Sequence, residues 1–398
     1  MTSARDSYES RFRLALVSCL AHEPYEPRGV RTRAILGELE RRCSVDLVAR
    51  PRGRERAISS RARQLSGYLL RSVLIDRFEP WSRQRFGNWN PEADGALLVG
   101  YPFSSLAFAS RSLSALEIPY VVDVGDPWAL TARRPDTHAL ALLRSRRAET
   151  RMWSGAAGAV VTTAAQRDAL QVRFPELPVL VRPNGLEIGV PGSAPRSARS
   201  DLETLRLVHF GSTNRARIDV RPILNRLARA GPWRRIEFTQ FGQFGADWQR
   251  TLRGLAAEVD VRLQHPLPWS EVVRRASEFD AALVIGNVDP SMLPSKVVGY
   301  LSLLIPRIAI TSDPERDAIG TYLRDQSGWL VLRPDSPDAA ELVRRHISRN
   351  WTPAELAAPA SESWEAVAEE VADFVLATLG RPELARPSRA AADATASM

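Results

Sequence analysis

The chain has 398 residues, 44% hydrophobic and 25% charged, with 54 basic and 46 acidic side chains and a formal net charge of +8. Its length exceeds what one hydrophobic core sustains and predicts two domains, and its apolar content excludes a disordered or fibrous chain. Two cysteines, Cys19 and Cys43, exclude a disulfide framework and lack metal-ligand spacing, which predicts a reducing cytoplasm, and no apolar run reaches the ~18 residues of a membrane span.

The first apolar run, Arg13 to Ser18, is a buried strand; its acidic flanks and the following His22-Glu23-Pro24 make a poor signal peptide. A helix over Val30–Arg42 and a strand over Val45–Val48 follow. Further strands are expected at Gly95–Val99, Tyr120–Val124, Ala159–Thr162 and Val179–Val181, with helices between most of them. The stretch Val190–Ser197, rich in Pro, Gly and Ser, is a linker. A second series then runs through Leu205–Phe210, Ile236–Gln240, Val261–Leu263, Ala281–Ile285, Pro306–Ile310 and Gly328–Leu332. Short continuous apolar strands alternating with helices predict parallel sheets covered on both faces. The fold class is therefore α/β, two doubly wound Rossmann-like domains facing a cleft, with ligands at the carboxyl ends of the strands. Glu362–Leu379 is an amphipathic helix with Trp364, Val367, Val371, Phe374 and Val375 on one face.

The positive balance favours anionic partners such as nucleotides, phosphorylated lipids or membrane surfaces. Between Arg50 and Arg71 seven arginines face one acid, Glu55, and apolar anchors from Leu69 to Trp81 follow. Such a segment suits peripheral contact with an anionic membrane or a polyprenyl-phosphate acceptor, or is simply a solvated loop. No recognised module accompanies the charge, so nucleic acid is not expected as a partner. Among all these cations only one is a lysine, Lys296, in Leu293-Pro294-Ser295-Lys296. It is either a chance survivor of an arginine-rich composition or a flexible ammonium kept where a planar guanidinium would not serve. A turn into a helix at Pro294-Ser295-Lys296 would let hydroxyl, N–H groups and ammonium converge on phosphate oxygens.

The order of motifs resembles the retaining glycosyltransferases of family 4, over roughly residues 12 to 379. His22-Glu23-Pro24 through Gly29-Val30-Arg31 is similar to the family's first loop, and Gly100-Tyr101-Pro102 and Asp123-Val124-Gly125-Asp126-Pro127-Trp128 to its acceptor-side loops. Arg182-Pro183-Asn184-Gly185 resembles the close of the first domain. Gly211-Ser212-Thr213 with Arg215 and Arg217 resembles the glycine loop and basic pair, Pro266-Leu267 borders the base, and Leu293 to Lys296 completes the donor site. The resemblance implies a first domain over 1–189, a linker over 190–203, a nucleotide-sugar domain over 204–350, a helix over 351–380 returning toward the first domain, and a disordered tail over 381–398.

It implies a hexosyltransferase of polysaccharide or glycoconjugate synthesis, cytoplasmic or peripheral at the inner face of the membrane. The donor is a nucleotide sugar and the acceptor a saccharide or lipid-linked sugar. Donor contacts fall to Gly211, Ser212, Thr213, Arg215, Arg217, Pro266, Leu267, Leu293, Pro294, Ser295 and Lys296. Acceptor contacts fall to His22, Gly29, Asp123 and Trp128, with Asp126 as the catalytic carboxylate. Asp126 is alternatively a turn residue before proline, and Trp128 and His22 are alternatively structural, as His209 is expected to be. No Asp-x-Asp pattern is present and cations are at hand for the leaving group, so no metal and no cofactor are expected. The sequence departs from the family at Ser291 and Gly299, where glutamates are usual. That departure leaves open a non-catalytic partner protein, and fold alone leaves open an epimerase or hydrolase.

Overall fold

The computed structural model describes residues 12–23, 26–49, 85–86, 89–126, 128–129, 139–187, 203–213 and 217–384. The basic segment Arg50–Arg71, the linker Val190–Ser197, the tail from 385 onward and Arg215 lie outside the described residues. The chain divides into two compact units, one made of residues up to Asn184 plus those from Trp364, the other of Gly185–Ser363.

Unit 1 contains strands β1 (Arg13–Ser18), β2 (Ser44–Ala49), β3 (Gly95–Val99), β4 (Tyr120–Asp123), β5 (Gly158–Val161) and β6 (Val179–Val181). They form one parallel sheet in the order β2-β1-β3-β4-β5-β6, with Leu16 level with Leu47 on one side and Leu97 on the other. Its helices are α1 (Pro27–Glu40), α2 (Phe103–Ala115), α3 (Ala139–Ser154) and α4 (Ala164–Gln171). Helix α1 begins three residues before the expected Val30, because Pro27 at its first turn has its φ preset and no N–H to leave unpaired. The four central strands β1, β3, β4 and β5 carry unbroken apolar runs between their end residues because helices cover both faces.

Unit 2 contains β7 (Thr204–Phe210), β8 (Arg235–Phe241), β9 (Val259–Gln264), β10 (Ala281–Ile285), β11 (Arg307–Ile310) and β12 (Trp329–Leu332). The helices are α5 (Arg221–Ala230), α6 (Ala246–Leu252), α7 (Trp269–Ala276), α8 (Ser295–Tyr300), α9 (Ala318–Leu323), α10 (Ala339–Ile347) and α11 (Pro353–Leu356). The parallel sheet runs β12-β11-β10-β7-β8-β9, so the strand order reverses between β7 and β10. Loops leaving strands at such a reversal diverge, and the carboxyl ends of those strands are where a crevice is expected. Two apolar layers, one built on Leu205 and Leu207 and the other on Val208 and Phe210, pack the two faces of β7.

The last helix, α12 (Trp364–Thr378), closes unit 1: Val367, Val371 and Val375 join Ile35 and Leu39 of α1 over Leu14 and Leu16. Glu370 pairs with Arg182 at 2.8 Å and Asp373 with Arg42. Residues 381–384, expected to belong to the tail, are folded. Arg381 donates its N–H to the Leu376 carbonyl at 2.8 Å, its guanidinium lies 5.3 Å from the Phe12 ring centroid, and Pro382–Leu384 forms a 3₁₀ turn. No described helix is long and apolar enough to cross a membrane.

Candidate functional site

In unit 2 the turn that leaves β7 lies at this reversal. Gly211 donates to the Phe241 carbonyl at 2.8 Å, and the buried Gln240 amide donates to the Gly211 carbonyl at 3.0 Å and to Thr213 Oγ1 at 2.8 Å. Trp248 Nε1 fixes the other end of that amide at 2.6 Å. Thr213, 3% exposed, therefore holds the loop in shape rather than offering its hydroxyl to a ligand, while Ser212 is exposed. A side chain at Gly211 has no room: a Cβ there would stand 2.8 Å from His209 Nε2 and 3.1 Å from Lys296 Nζ.

Those two neighbours come from distant parts of the chain. Alternation along β7 sends His209 and Gly211 to the same side of the strand. Lys296 is on the first turn of α8, where Leu293 and Pro294 are buried and Ser295 and Lys296 are exposed. Arg217 completes the group by donating to Asn287 Oδ1 at 2.7 Å and to the Ile285 carbonyl at 3.3 Å. Of the expected donor residues, Gly211, Arg217 and Lys296 thus converge, Leu267 packs on the core beside Trp269, and Pro266 is exposed.

The electrostatics of the cluster are one-sided. Among the described residues neither Lys296 nor Arg217 has a carboxylate partner. Lys296 is a solvent-exposed residue, yet its ammonium lies among protein atoms beside Arg217, and the partial burial followed by the like charge brings its pKa down to about 8. Burial likewise lowers Arg217. His209 is held neutral: burial first, then the Lys296 and Arg217 charges, bring it down to about 3 against the opposing effect of the Leu283 carbonyl. Two cations with no acidic partner among the described residues, around a glycine turn at a reversal of strand order, are an arrangement that can hold an anion.

The positions where glutamates were expected are otherwise occupied. Ser291 donates its hydroxyl to Asp289 Oδ1 at 2.7 Å, and the Trp269 indole lies against Gly299, where a Cβ would be 3.2 Å from Cζ2.

Unit 1 corrects several expectations. Asp123 does not face an acceptor: it is 0% exposed and receives Arg31 Nε at 2.7 Å, while Arg31 Nη1 donates to the Pro183 carbonyl at 2.8 Å. The pair ties α1, β4 and the chain after β6 together, a role the sequence hid because its members lie far apart. Trp128 is 2% exposed and stacked on Phe103 at 5.1 Å between centroids, so its ring belongs to the core and not to a sugar. Gly29 is buried too. Its missing Cβ would fall 2.2 Å from the Glu23 carbonyl oxygen, so it lets α1 approach the first loop. His22 is half-buried in that loop, which Arg33 holds through the carbonyls of Ala21 and Glu23 at 3.0 and 3.1 Å.

Asp126 is exposed at the end of β4. Beside it lies a residue that sequence reasoning missed, Arg28. Its guanidinium fills the space over Gly125, where Nη2 would be 0.5 Å from a Cβ, and its stem crosses Gly100, whose φ is +91°. Burial lowers its pKa, opposed by Asp126 and then Asp123. Two glycines at the ends of neighbouring strands were the available signal, but only the fold brings them under one arginine.

Two parallel six-stranded units of these strand orders, joined in one chain, constitute the GT-B architecture. No family model and no curated protein matches the sequence. Solved structures share the fold. The MnaA–UDP structure of S. aureus has a TM-score of 0.55 at 10% identity, over 95% of this chain and 99% of that one. The lipopolysaccharide outer core galactosyltransferase WaaB in its apo form has a TM-score of 0.54 at 13% identity, over 91% and 98%. Anabaena Alr3699/HepE in complex with UDP has 0.51 at 13% identity, over 97% and 100%. Likeness at such identities establishes the architecture and leaves the reaction to the site.

Proposed function

We propose that the chain is a glycosyltransferase that moves a hexosyl group from a nucleotide sugar to a saccharide or lipid-linked acceptor with retained anomeric configuration. The observation that carries this reading is the pair of cations without an acid, Lys296 and Arg217, at the Gly211 turn. Charge develops on the departing diphosphate, and fixed cations aimed at it lower the barrier. Arg215, in the same loop sequence, adds a third. As the bond from the anomeric carbon to the diphosphate oxygen breaks, its electron pair goes to that oxygen. The acceptor oxygen bonds to the same carbon and its proton passes to the departing phosphate. Asp126, exposed beside the Arg28 charge, orients the acceptor hydroxyl. Neither a metal nor a protein nucleophile has a part in this scheme. The MnaA and HepE structures, both with UDP, and the galactosyltransferase WaaB support a nucleotide-sugar donor.

A second reading, a non-catalytic partner of an active transferase, is favoured by the indole against Gly299 and the engaged Ser291, which leave the ribose no carboxylate at either position. Calorimetric titration with UDP, GDP, dTDP, ADP and their sugars, repeated on Lys296→Ala, separates the two. The transferase reading expects saturable binding, lost in the variant, with turnover in an acceptor screen; no binding of any nucleotide refutes it. Binding without turnover supports the partner.

A further inference from the structure

The carboxyl end of β7 holds a polar atom with no hydrogen-bond partner in this arrangement of the side chains. His209 Nδ1 lies 2.8 Å from the Leu283 carbonyl, and a carbonyl only accepts, so the proton of the neutral ring is on Nδ1. Nε2 then carries a bare lone pair. It is buried, with no hydrogen-bond partner, in a residue 5% exposed. A buried acceptor left unmade is destabilising, so a partner for it is expected on the open side. That side is the space Gly211 vacates, where a Cβ would stand 2.8 Å from Nε2 and 3.1 Å from the Lys296 ammonium, which does not bond Nε2 as it stands. Arg217 is held elsewhere, by Asn287 and Ile285. Tyr300 OH approaches the other ring nitrogen, at 3.4 Å.

We propose that the flexible Lys296 side chain turns its ammonium onto His209 Nε2, which accepts a hydrogen bond from one of its three N–H groups and leaves two for the anion. His209 is a positioning residue: it acts on the diphosphate through Lys296, and this function rests on the transferase reading. A lysine on an exposed first turn is a flexible point charge. A rigid acceptor, itself locked by a backbone carbonyl, converts it into an oriented donor. The neutral ring suits the task, because a protonated imidazole has no lone pair to offer and would repel the ammonium.

The single lysine makes the contact measurable without any ligand. Chain labelled with 13C,15N-lysine gives one side-chain signal, whose titration reads the Lys296 ammonium directly. An acceptor favours the charged form, so His209→Phe is expected to lower the lysine midpoint and His209→Gln, which keeps an acceptor oxygen, to restore it partly. The exposed Lys296→Met leaves the core untouched and covers the case in which His209→Phe does not fold: it is expected to move the His209 Nε2 15N shift toward that of a free lone pair. In calorimetry with UDP, His209→Phe is expected to weaken binding about ten-fold, and to have no further effect in a Lys296→Met background. Equal losses in both backgrounds, an unmoved lysine midpoint, or an unmoved His209 shift overturns the proposal. Absence of UDP binding by the unaltered protein, with the lysine midpoint still dependent on residue 209, overturns the transferase reading and leaves the contact standing.

Discussion

Replacing Gly211 by alanine tests the crevice with a single methyl group. No positive φ protects this position, so alanine is excluded by space alone. The added carbon would stand 2.8 Å from His209 Nε2 and 3.1 Å from Lys296 Nζ. Non-bonded atoms rest about 3.5–4.0 Å apart, so the first contact is short by about 0.7 Å or more. Lys296 swings away at little cost, but the imidazole is held by the Leu283 carbonyl and walled by the core. Overpacking of this kind costs roughly 1–3 kcal/mol, to be read as a lowered midpoint in urea unfolding. The functional loss is expected to be larger, because the methyl displaces the Lys296 ammonium that would meet the anion: UDP affinity in calorimetry should fall by more than ten-fold, beyond what any loss of folded protein explains. His209→Ala in the same chain removes the ring and is expected to recover part of the stability without recovering binding. A Gly211→Ala protein that binds UDP as the unaltered chain does would refute the placement of the anion at this turn.

Other consequences are equally open to test. Asp123→Asn leaves the Arg31 charge buried without its partner, and a cost of about 3–5 kcal/mol is expected in denaturant unfolding; a change below about 1 kcal/mol would mean the pair is not what ties α1 to β4. Lys296 has its pKa lowered to about 8 from 10.5, so the native chain releases that proton first and the ionisation raises stability with pH between the two values. An anion favours the charged form, so UDP binding should weaken as pH rises through about 8, and Lys296→Met should abolish that dependence. Gly125→Ala drives a carbon into the Arg28 guanidinium; because the group ends a flexible side chain, a loss of about 1–2 kcal/mol is expected, and transferase turnover should fall if Arg28 keeps the Asp126 carboxylate in place. Trp128→Ala should cost about 3–5 kcal/mol as the loss of a buried ring, and a near-neutral result in thermal unfolding would return the indole to the list of acceptor contacts.

The parallel sheets were legible because their central strands, such as Ala281–Ile285, are buried on both faces and so carry unbroken apolar runs. Helix starts were less so. The first turn of α1, Pro27-Arg28-Gly29, has no apolar residue to join a periodicity, and its helical character comes from proline instead. In the site, Lys296 stood out by its rarity and Gly211 by its place after a strand. His209 did not, since a histidine in an apolar strand looks the same whether one ring nitrogen is satisfied or both. Trp128 and Asp123 misled for a related reason: a loop rich in aromatic and acidic residues has the composition of a sugar site, but here a stacked partner from α2 and an arginine from α1 claim them. Pairings of that kind depend on which elements become neighbours, and residue type does not encode them.

Unit 1 is finished by α12, the last α-helix among the described residues, whereas unit 2 is one continuous stretch from Gly185 to Ser363. The order in which the units can be completed therefore inverts their order along the chain. While the chain emerges, the apolar face of Leu14, Leu16, Ile35 and Leu39 waits uncovered for Val367, Val371 and Val375, and the second unit has every residue it needs before the first does. A nascent chain stopped before Trp364 would be expected to protect unit 2 from protease and leave unit 1 open. A defect written into α12 would accordingly appear as an early failure of the amino-terminal half.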